Sequence, residues 1–295
     1  MTEIFGYPIP VILGQLMLGL VNGSFYAMLS LGLAVIFGLL GVVNFAHGAF
    51  YMLGAFAALI GLETLGINYW VALVLSPVVV GAFGIVLERL LLRHLYKLDP
   101  LYGLLLTFGL ALIFEGVMRD RFGSSGTIYP VPDALQGAVN LGFMILPLYR
   151  GWVIVASLVV CFVTWFTIER TRLGATLRAA TENPRLVQSF GINVPIIVML
   201  TYGAGVGLAA LAGVLSAPVI QVSPLMGSSL VVVVFAVVVI GGMGSILGAI
   251  VSGLALGMVE GITKVIYPEA SNIVVFVIMA IVLVIRPAGL FGKEK

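Results

Sequence analysis

The sequence predicts an all-α polytopic membrane protein, with about eight or nine transmembrane helices and one short cytoplasmic helix. Three observations carry that prediction. The 295 residues are 61% hydrophobic and only 9% charged, where a soluble domain carries about 25% charge. The apolar runs are continuous and of membrane length, which argues against the alternating pattern of a β-barrel. The polar residues gather in one island, residues 169–195, ERTRLGATLRAATENPRLVQSFGINVP. The 295 residues read as a single transmembrane domain, with a cytoplasmic loop at 169–195 and an external loop at 119–150.

Nine apolar segments in order are long enough to be considered spans: 11–40, 44–62, 68–88, 101–118, 151–168, 195–217, 227–243, 245–266 and 272–286. About 20 residues make one crossing. The first run suits either one tilted helix or a helix plus a re-entrant piece, and the last is short. Orientation follows from Lys and Arg, which favour cytoplasmic loops. Ten of the 14 basic residues fall in three clusters: Arg89, Arg93 and Lys97; Arg170, Arg172, Arg178 and Arg185; Arg286, Lys293 and Lys295. Two spans separate the first cluster from the second and four separate the second from the third. Both counts are even, so all three clusters fall on one side. The N-terminus is then outside and the C-terminus cytoplasmic.

Polar residues inside apolar helices are costly and tend to mark function or tight packing. Asn22 and Ser24 lie within the first run, and Asn44 and His47 follow its end in VVNFAHGAF. Asn44 and His47 read first as a helix cap joining two spans, with Gly48 allowing the close turn. Contact with a transported solute along a path with Asn22 is the alternative. A metal role for His47 is poorly supported, because the chain has two histidines and a site wants three or four ligands. In the run VVVVFAVVVIGGMGSILGAIVSGLALGMVE, a break at Gly241, Gly242, Met243 and Gly244 separates two apolar segments. Gly242 and Gly244 join the candidate path residues. Gly253, Gly257 and Gly261 form a small-xxx-small series whose default meaning is close helix packing. Glu260 and Lys264 stand four apart and can pair.

The island is basic, and residues 174–187 read as a short amphipathic helix. Leu177, Ala180 and Thr181 form its less polar stripe, and Arg178, Glu182 and Arg185 its charged one. Pro184 is expected to shorten that helix after Asn183. Taken alone, the composition suits a loop that merely sets topology. The phosphate-loop pattern G-x-x-x-x-G-K-[ST] is absent, as are H-E-x-x-H and G-x-S-x-G. The few ionisable residues show no nucleophile–base spacing, so no catalytic residue, metal or nucleic-acid partner is indicated. The single Cys161 excludes an intrachain disulfide.

Four blocks in order resemble the H-type permease subunit of branched-chain amino acid ABC importers, a family with close relatives among urea permeases. They are YAMLSLGLAVIFGLLGV with NFAHG, GATLRAATENPRLVQSFGI, IGGMGSILGAIVSG and the ending RPAGLFG. The likeness runs from about residue 11 to the C-terminus. It implies a bacterial or archaeal inner-membrane permease that imports branched-chain or other small hydrophobic amino acids. It implies a heterodimer with an M-type permease in membrane lipid, two cytoplasmic ATPase subunits that bind the ATP, and a periplasmic or lipid-anchored binding protein. The chain itself would need no cofactor. The second block resembles the coupling helix that seats in an ATPase, which makes Gly174, Arg178, Ala179, Thr181, Glu182 and Gly191 the expected coupling residues. An ATP-independent channel or secondary carrier for urea or another small neutral solute is the competing class. It has no need of the second block.

Overall fold

The computed structural model describes residues 3–4, 6–41, 43–96 and 98–292. Val42 of the first block, and Lys97, Lys293 and Lys295 of the basic clusters, lie outside the described residues. A two-stranded pair, β1 (Glu3–Ile4) and β2 (Tyr7–Pro8), precedes α1 (Ile9–Leu40), α2 (Ala46–Leu65), α3 (Tyr69–Leu90) and α4 (Pro100–Phe122). A hairpin of β3 (Ala138–Asn140) and β4 (Ile145–Pro147) leads into α5 (Leu148–Arg170). Two short helices follow, α6 (Arg172–Glu182) and α7 (Pro184–Ser189). The chain ends with α8 (Val194–Ser216), α9 (Met226–Gly241), α10 (Ile246–Ile266) and α11 (Val274–Ile285).

Each of the nine apolar runs becomes one helix among the described residues. Seven are long and apolar enough to cross a membrane, while α9 and α11 have 16 and 12 residues. At 1.5 Å per residue those two rise about 24 and 18 Å, short of the roughly 30 Å hydrocarbon core. The first run is one unbroken helix. It ends at Gly41 (φ 63°), whose N–H reaches the Phe37 carbonyl at 2.9 Å. Several starts carry side-chain caps: Asn68 accepts from Val71 N–H, Asp99 from Leu101 N–H, Asn193 from Ile196 N–H and Ser245 from Gly248 N–H.

The core is built by close approach of small residues. Helices α1 and α10 run antiparallel: a Cβ on Gly19 would lie 2.5 Å from the Gly257 carbonyl oxygen, and one on Gly253 would lie 2.6 Å from the Ala27 Cα. The Gly253, Gly257 and Gly261 series therefore does pack, with Gly19 and Gly23 of α1 as its counterpart. Helices α3 and α8 meet the same way, Gly81 against the Gly203 carbonyl and Gly84 against Val206. With no hydrophobic drive between helices in lipid, such contacts supply the dispersion that holds the bundle. The outer faces of α3, α4 and α5 expose Val74, Val78, Leu105, Leu112, Val159 and Phe162. That apolar exposure suits lipid.

The contacts also sort the two ends of the bundle. Gly38 near the end of α1 lies against Gly244, and Gly242 lies against Gly292 just beyond Arg286. Gly41 shares a small cavity with Leu92 and Tyr96, next to Arg93, and with Pro100 at the start of α4. Helix α6 packs on α5, α1 and α8. The described members of all three basic clusters therefore sit at one end. At the opposite end Tyr149 donates to the Leu215 carbonyl at 2.9 Å, and Trp152 donates to the Tyr69 hydroxyl at 3.0 Å. Aromatic rings with a polar tip suit a membrane interface.

Two sequence boundaries move. The polar connection expected over 119–150 narrows to residues 123–147, because α4 continues to Phe122 with Arg119 paired to Glu115 at 2.6 Å. Thr127 pairs through both backbone groups with Val222, which ties this connection to the segment before α9. The helix expected over 174–187 is two helices, broken at Asn183 and Pro184. Pro184 lacks the N–H that a continuous helix needs and instead occupies the first turn of α7, with Asn183 accepting from Leu186 N–H at 3.1 Å.

Candidate functional site

The segment after α1 does not stay at the membrane edge. It folds back so that α2 starts deep in the bundle. The Asn44 amide donates to the Tyr202 hydroxyl at 3.1 Å, and Phe45 N–H donates to the Thr107 hydroxyl at 3.1 Å. Tyr202 is the ninth of the 23 residues of α8, and Thr107 the eighth of the 23 of α4. Both partners are thus well inside their helices. His47 Nε2 reaches the Leu29 carbonyl at 2.9 Å, which makes Nε2 the donor nitrogen. Its ring lies against Gly32, itself in contact with Gly205 at the middle of α8. Irregular backbone at such depth is tolerated only where protein or a cavity satisfies it. Here Asn44 Oδ1 accepts from Ala46 N–H at 3.1 Å, so the side chain serves both the break and the start of α2.

Asn44 and His47 are fully buried; Asn44 is partnered, and His47 is partnered through Nε2 while its Nδ1 is buried with no hydrogen-bond partner among the described residues. Asn22 is half-buried on α1, one helical turn before Tyr26. Gly242 and Gly244 form a second break between α9 and α10, with φ of 99° and 85°. The structure does not bring these five residues to one point. Asn44 and His47 share the first break, Gly242 and Gly244 the second, and Asn22 lies apart from both. The ending RPAGLFG closes the second break: Leu290 N–H donates to the Ile240 carbonyl at 2.8 Å and Phe291 N–H to the Gly241 carbonyl at 3.2 Å. Those are carbonyls at the C-terminal end of α9, which a helix cannot satisfy by itself.

At the basic end, α6 is fastened to α5. Arg178 Nη1 donates to the Ile168 carbonyl at 2.5 Å and lies 3.6 Å from the Glu169 carboxylate. Gly174 is buried against the Ile168 backbone, where a Cβ would collide. Thr181 donates to the Arg178 carbonyl at 2.7 Å, and Gly191 turns the chain toward α8 with φ 79°. Gly174, Arg178, Thr181 and Gly191 therefore hold the shape of the loop, whereas Ala179 and Glu182 face outward. The outward surface also carries Leu173, Leu186 and Phe190, exposed by 69%, 54% and 76%. The sequence did not single out these three, because an apolar residue in an amphipathic helix reads as its buried side. Near this end burial and the neighbouring Glu88 carboxylate push the Tyr96 hydroxyl well above the usual tyrosine range. It stays protonated and donates to Glu88 at 2.9 Å.

An apolar cavity of about 560 Å3 lies between α5, α6 and α8. Its walls are apolar, and the Thr167 and Thr176 hydroxyls in it are spent on carbonyls of their own helices. Thr164 and Thr201 also line it, and no charged side chain does. No group of three metal-ligating side chains occurs among the described residues.

Comparison with known proteins agrees with this architecture. Residues 15–283 match a family model described as "Branched-chain amino acid transport system / permease component". The high-affinity branched-chain amino acid transport system permease protein BraD of Pseudomonas aeruginosa is 30% identical over 308 residues, covering 100% of this chain and 99% of the relative. LivH of Escherichia coli, a permease protein of the same description, is 29% identical over 309 residues, with 100% and 99% covered. A more distant likeness, 25% identity over 299 residues, joins it to the permease protein LivM of Salmonella typhimurium, with 92% of this chain and 68% of the relative covered. No solved structure matches the chain.

Proposed function

Because the chain belongs to the branched-chain amino acid transport permease family, a family of multi-pass inner-membrane transport subunits, we propose that it is the transmembrane subunit of an ATP-driven importer. Its substrates are branched-chain or other small hydrophobic amino acids. The observation that carries this reading is the surface of α6 and α7. Leu173, Leu186 and Phe190 stand exposed on a polar, basic loop, a surface that suits a protein partner. A loop that only set topology would have no use for them.

In this reading a cytoplasmic ATPase receives α6 and α7, with Ala179 and Glu182 at the contact beside the three apolar residues. Gly174, Arg178, Thr181 and Gly191 keep the loop rigid enough to transmit a push. The basic end is cytoplasmic, so the N-terminus is outside and the C-terminus inside. The relationship to LivM as well as LivH supports a heterodimer with an M-type permease. Two ATPases bind the nucleotide, a binding protein delivers substrate at the opposite end, and the permease chain catalyses nothing itself. ATP binding draws the ATPases together, α6 and α7 follow, and α5 and α8 shift with them. The break at Asn44, deep in the bundle, and the break at Gly242, at its basic end, are the places where this bundle can bend, and the path is proposed to run past Asn22, Asn44, His47, Gly242 and Gly244.

The test is purification of the tagged chain from solubilised membranes, wild type beside Arg178→Glu, Glu182→Arg and Phe190→Ala, with identification of associated chains and uptake measured in vesicles. Co-purification of ATPase subunits with the wild type, and their loss from the variants, supports the reading. A wild type that comes down alone and moves urea or another neutral solute without ATP overturns it in favour of the carrier.

A further inference from the structure

A second polar site lies away from both breaks and from α6 and α7. Glu260 of α10, with its side chain 9% exposed, accepts a hydrogen bond from the Tyr26 hydroxyl at 2.7 Å and an ion-paired one from Lys264 at 2.5 Å. It borders a cavity of about 220 Å3 between α1, α9, α10 and α11. Ser229, Ser271 and Asn272 supply the other polar atoms of the wall. Tyr26 is the 18th of the 32 residues of α1 and Ser229 the fourth of the 16 of α9, so the cavity lies part-way down the bundle, on the side away from the basic clusters. A buried carboxylate at that depth is costly, and a polar cavity beside it marks function more often than packing.

The hydrogen-bond directions give the cavity a polarity. Ser229 donates to the Met226 carbonyl at 3.1 Å and Ser271 to the Pro268 carbonyl at 2.7 Å. Tyr26 donates to Glu260. All three hydroxyl protons are therefore spent, and apart from the Asn272 amide, which can donate, the polar wall is oxygen lone pairs and a carboxylate. Such a wall suits a primary ammonium with its three N–H groups at Glu260. The remaining wall is apolar, formed by Val232, Val233, Val275 and Phe276. An ammonium attached to a short apolar group satisfies both halves.

We propose that this cavity receives the α-ammonium and the aliphatic side chain of a neutral apolar amino acid as it enters the permease. The substrate class rests on the importer reading above; the preference for an ammonium rests on the cavity alone. The incoming ammonium takes the place of Lys264 on Glu260. Lys264 is 38% exposed and long enough to swing outward, where its charge faces the ligand's α-carboxylate. Asn22, one turn from Tyr26 on the same face of α1, lies on the way in.

The test uses the assembled transporter in lipid vesicles. Ser229→Cys is labelled with a charged thiol reagent in the presence of leucine, of 4-methylpentanoate (which lacks the ammonium) or of sodium ions; the native Cys161 is buried. Leucine is expected to slow labelling at least fivefold, with no effect from the other two, and Glu260→Gln should abolish the protection. In parallel, ATP-dependent leucine uptake should need at least tenfold more substrate for half-saturation in Glu260→Gln. It should fall tenfold in Val233→Trp, which fills the cavity but leaves Tyr26, Glu260 and Lys264 in place. Equal protection by sodium or by 4-methylpentanoate overturns the ammonium assignment. Wild-type uptake in both variants, or no protection by leucine, overturns the site. If the wild type imports no leucine with ATP, the importer reading fails, and the labelling experiment still decides the cavity.

Discussion

Gly48 and Gly227 meet backbone to backbone inside the bundle: a Cβ on Gly48 would lie 2.5 Å from the Gly227 carbonyl oxygen. The first turns of α2 and α9 can approach this closely only because neither carries a side chain at the contact. The neighbouring Phe45 and Phe235 rings, 4.8 Å apart between centroids, close the space below.

Gly48→Val is therefore expected to destabilise the folded chain by about 1–3 kcal/mol or more, the range for overpacking a filled interior. The obstacle is backbone, which cannot rotate away. Gly116 of α4 is the contrast, because a Cβ there would meet nothing within 4 Å. Gly116→Ala should be neutral or stabilising by about 0.5–1 kcal/mol through helix propensity. Thermal unfolding of the two purified variants in one detergent measures both signs.

Tyr202→Phe should cost about 1–3 kcal/mol, because it leaves the Asn44 amide without its acceptor in a site water cannot reach. Asn44→Leu should cost at least as much, since the same side chain also accepts from Ala46 N–H. The double variant should be less destabilised than the sum of the singles, because each removes a group the other leaves stranded. Strict additivity in a thermal double-mutant cycle would show that the pair does not hold the break in place.

Much of this was legible in the sequence, and what was not has a physical cause. Hydrocarbon thickness imposes a length on each span, so the nine apolar runs located nine helices to within a few residues. Pro184 announced the split after Asn183 because no helix interior accepts it. The depth of Asn44 was hidden: an asparagine capping a helix at the surface and one capping a helix in mid-bundle look alike. The difference lies in Tyr202, 158 positions away. Glu260 and Lys264 were visible as an i, i+4 pair, whereas Tyr26 reaches Glu260 across 234 positions. Side-chain partners at such separations leave no local pattern.

Arg178 and Phe190 should fail in different ways. Arg178 is spent on the Ile168 carbonyl and Glu169, so Arg178→Ala should loosen α6 from α5 and raise protease cleavage within residues 171–193. Phe190 touches little within the chain and is 76% exposed. Phe190→Ala should leave proteolysis and thermal stability unchanged within about 0.5 kcal/mol, as surface changes do. Its effect should appear only in ATPase association, weakened at least tenfold. Limited proteolysis beside a binding measurement separates the two roles.

The C-terminal turn makes the last prediction. Leu290 and Phe291 donate their N–H groups to the Ile240 and Gly241 carbonyls, and Gly242 is pressed against Gly292 with φ 99°. Ile240 and Gly241 are buried although the turn lies at the basic end of the bundle, so water does not reach these carbonyls freely. Leu290→Pro removes one donor without adding charge and should cost about 1–3 kcal/mol, the range for a buried group left unpaired. Gly242→Ala should cost at least as much, because alanine resists this φ and its methyl would meet the Gly292 backbone. Both should raise amide exchange at the end of α9 and the start of α10, while α3 and α5 keep their protection. If exchange rises evenly through the bundle, the turn serves global stability and does not act as the cap of α9.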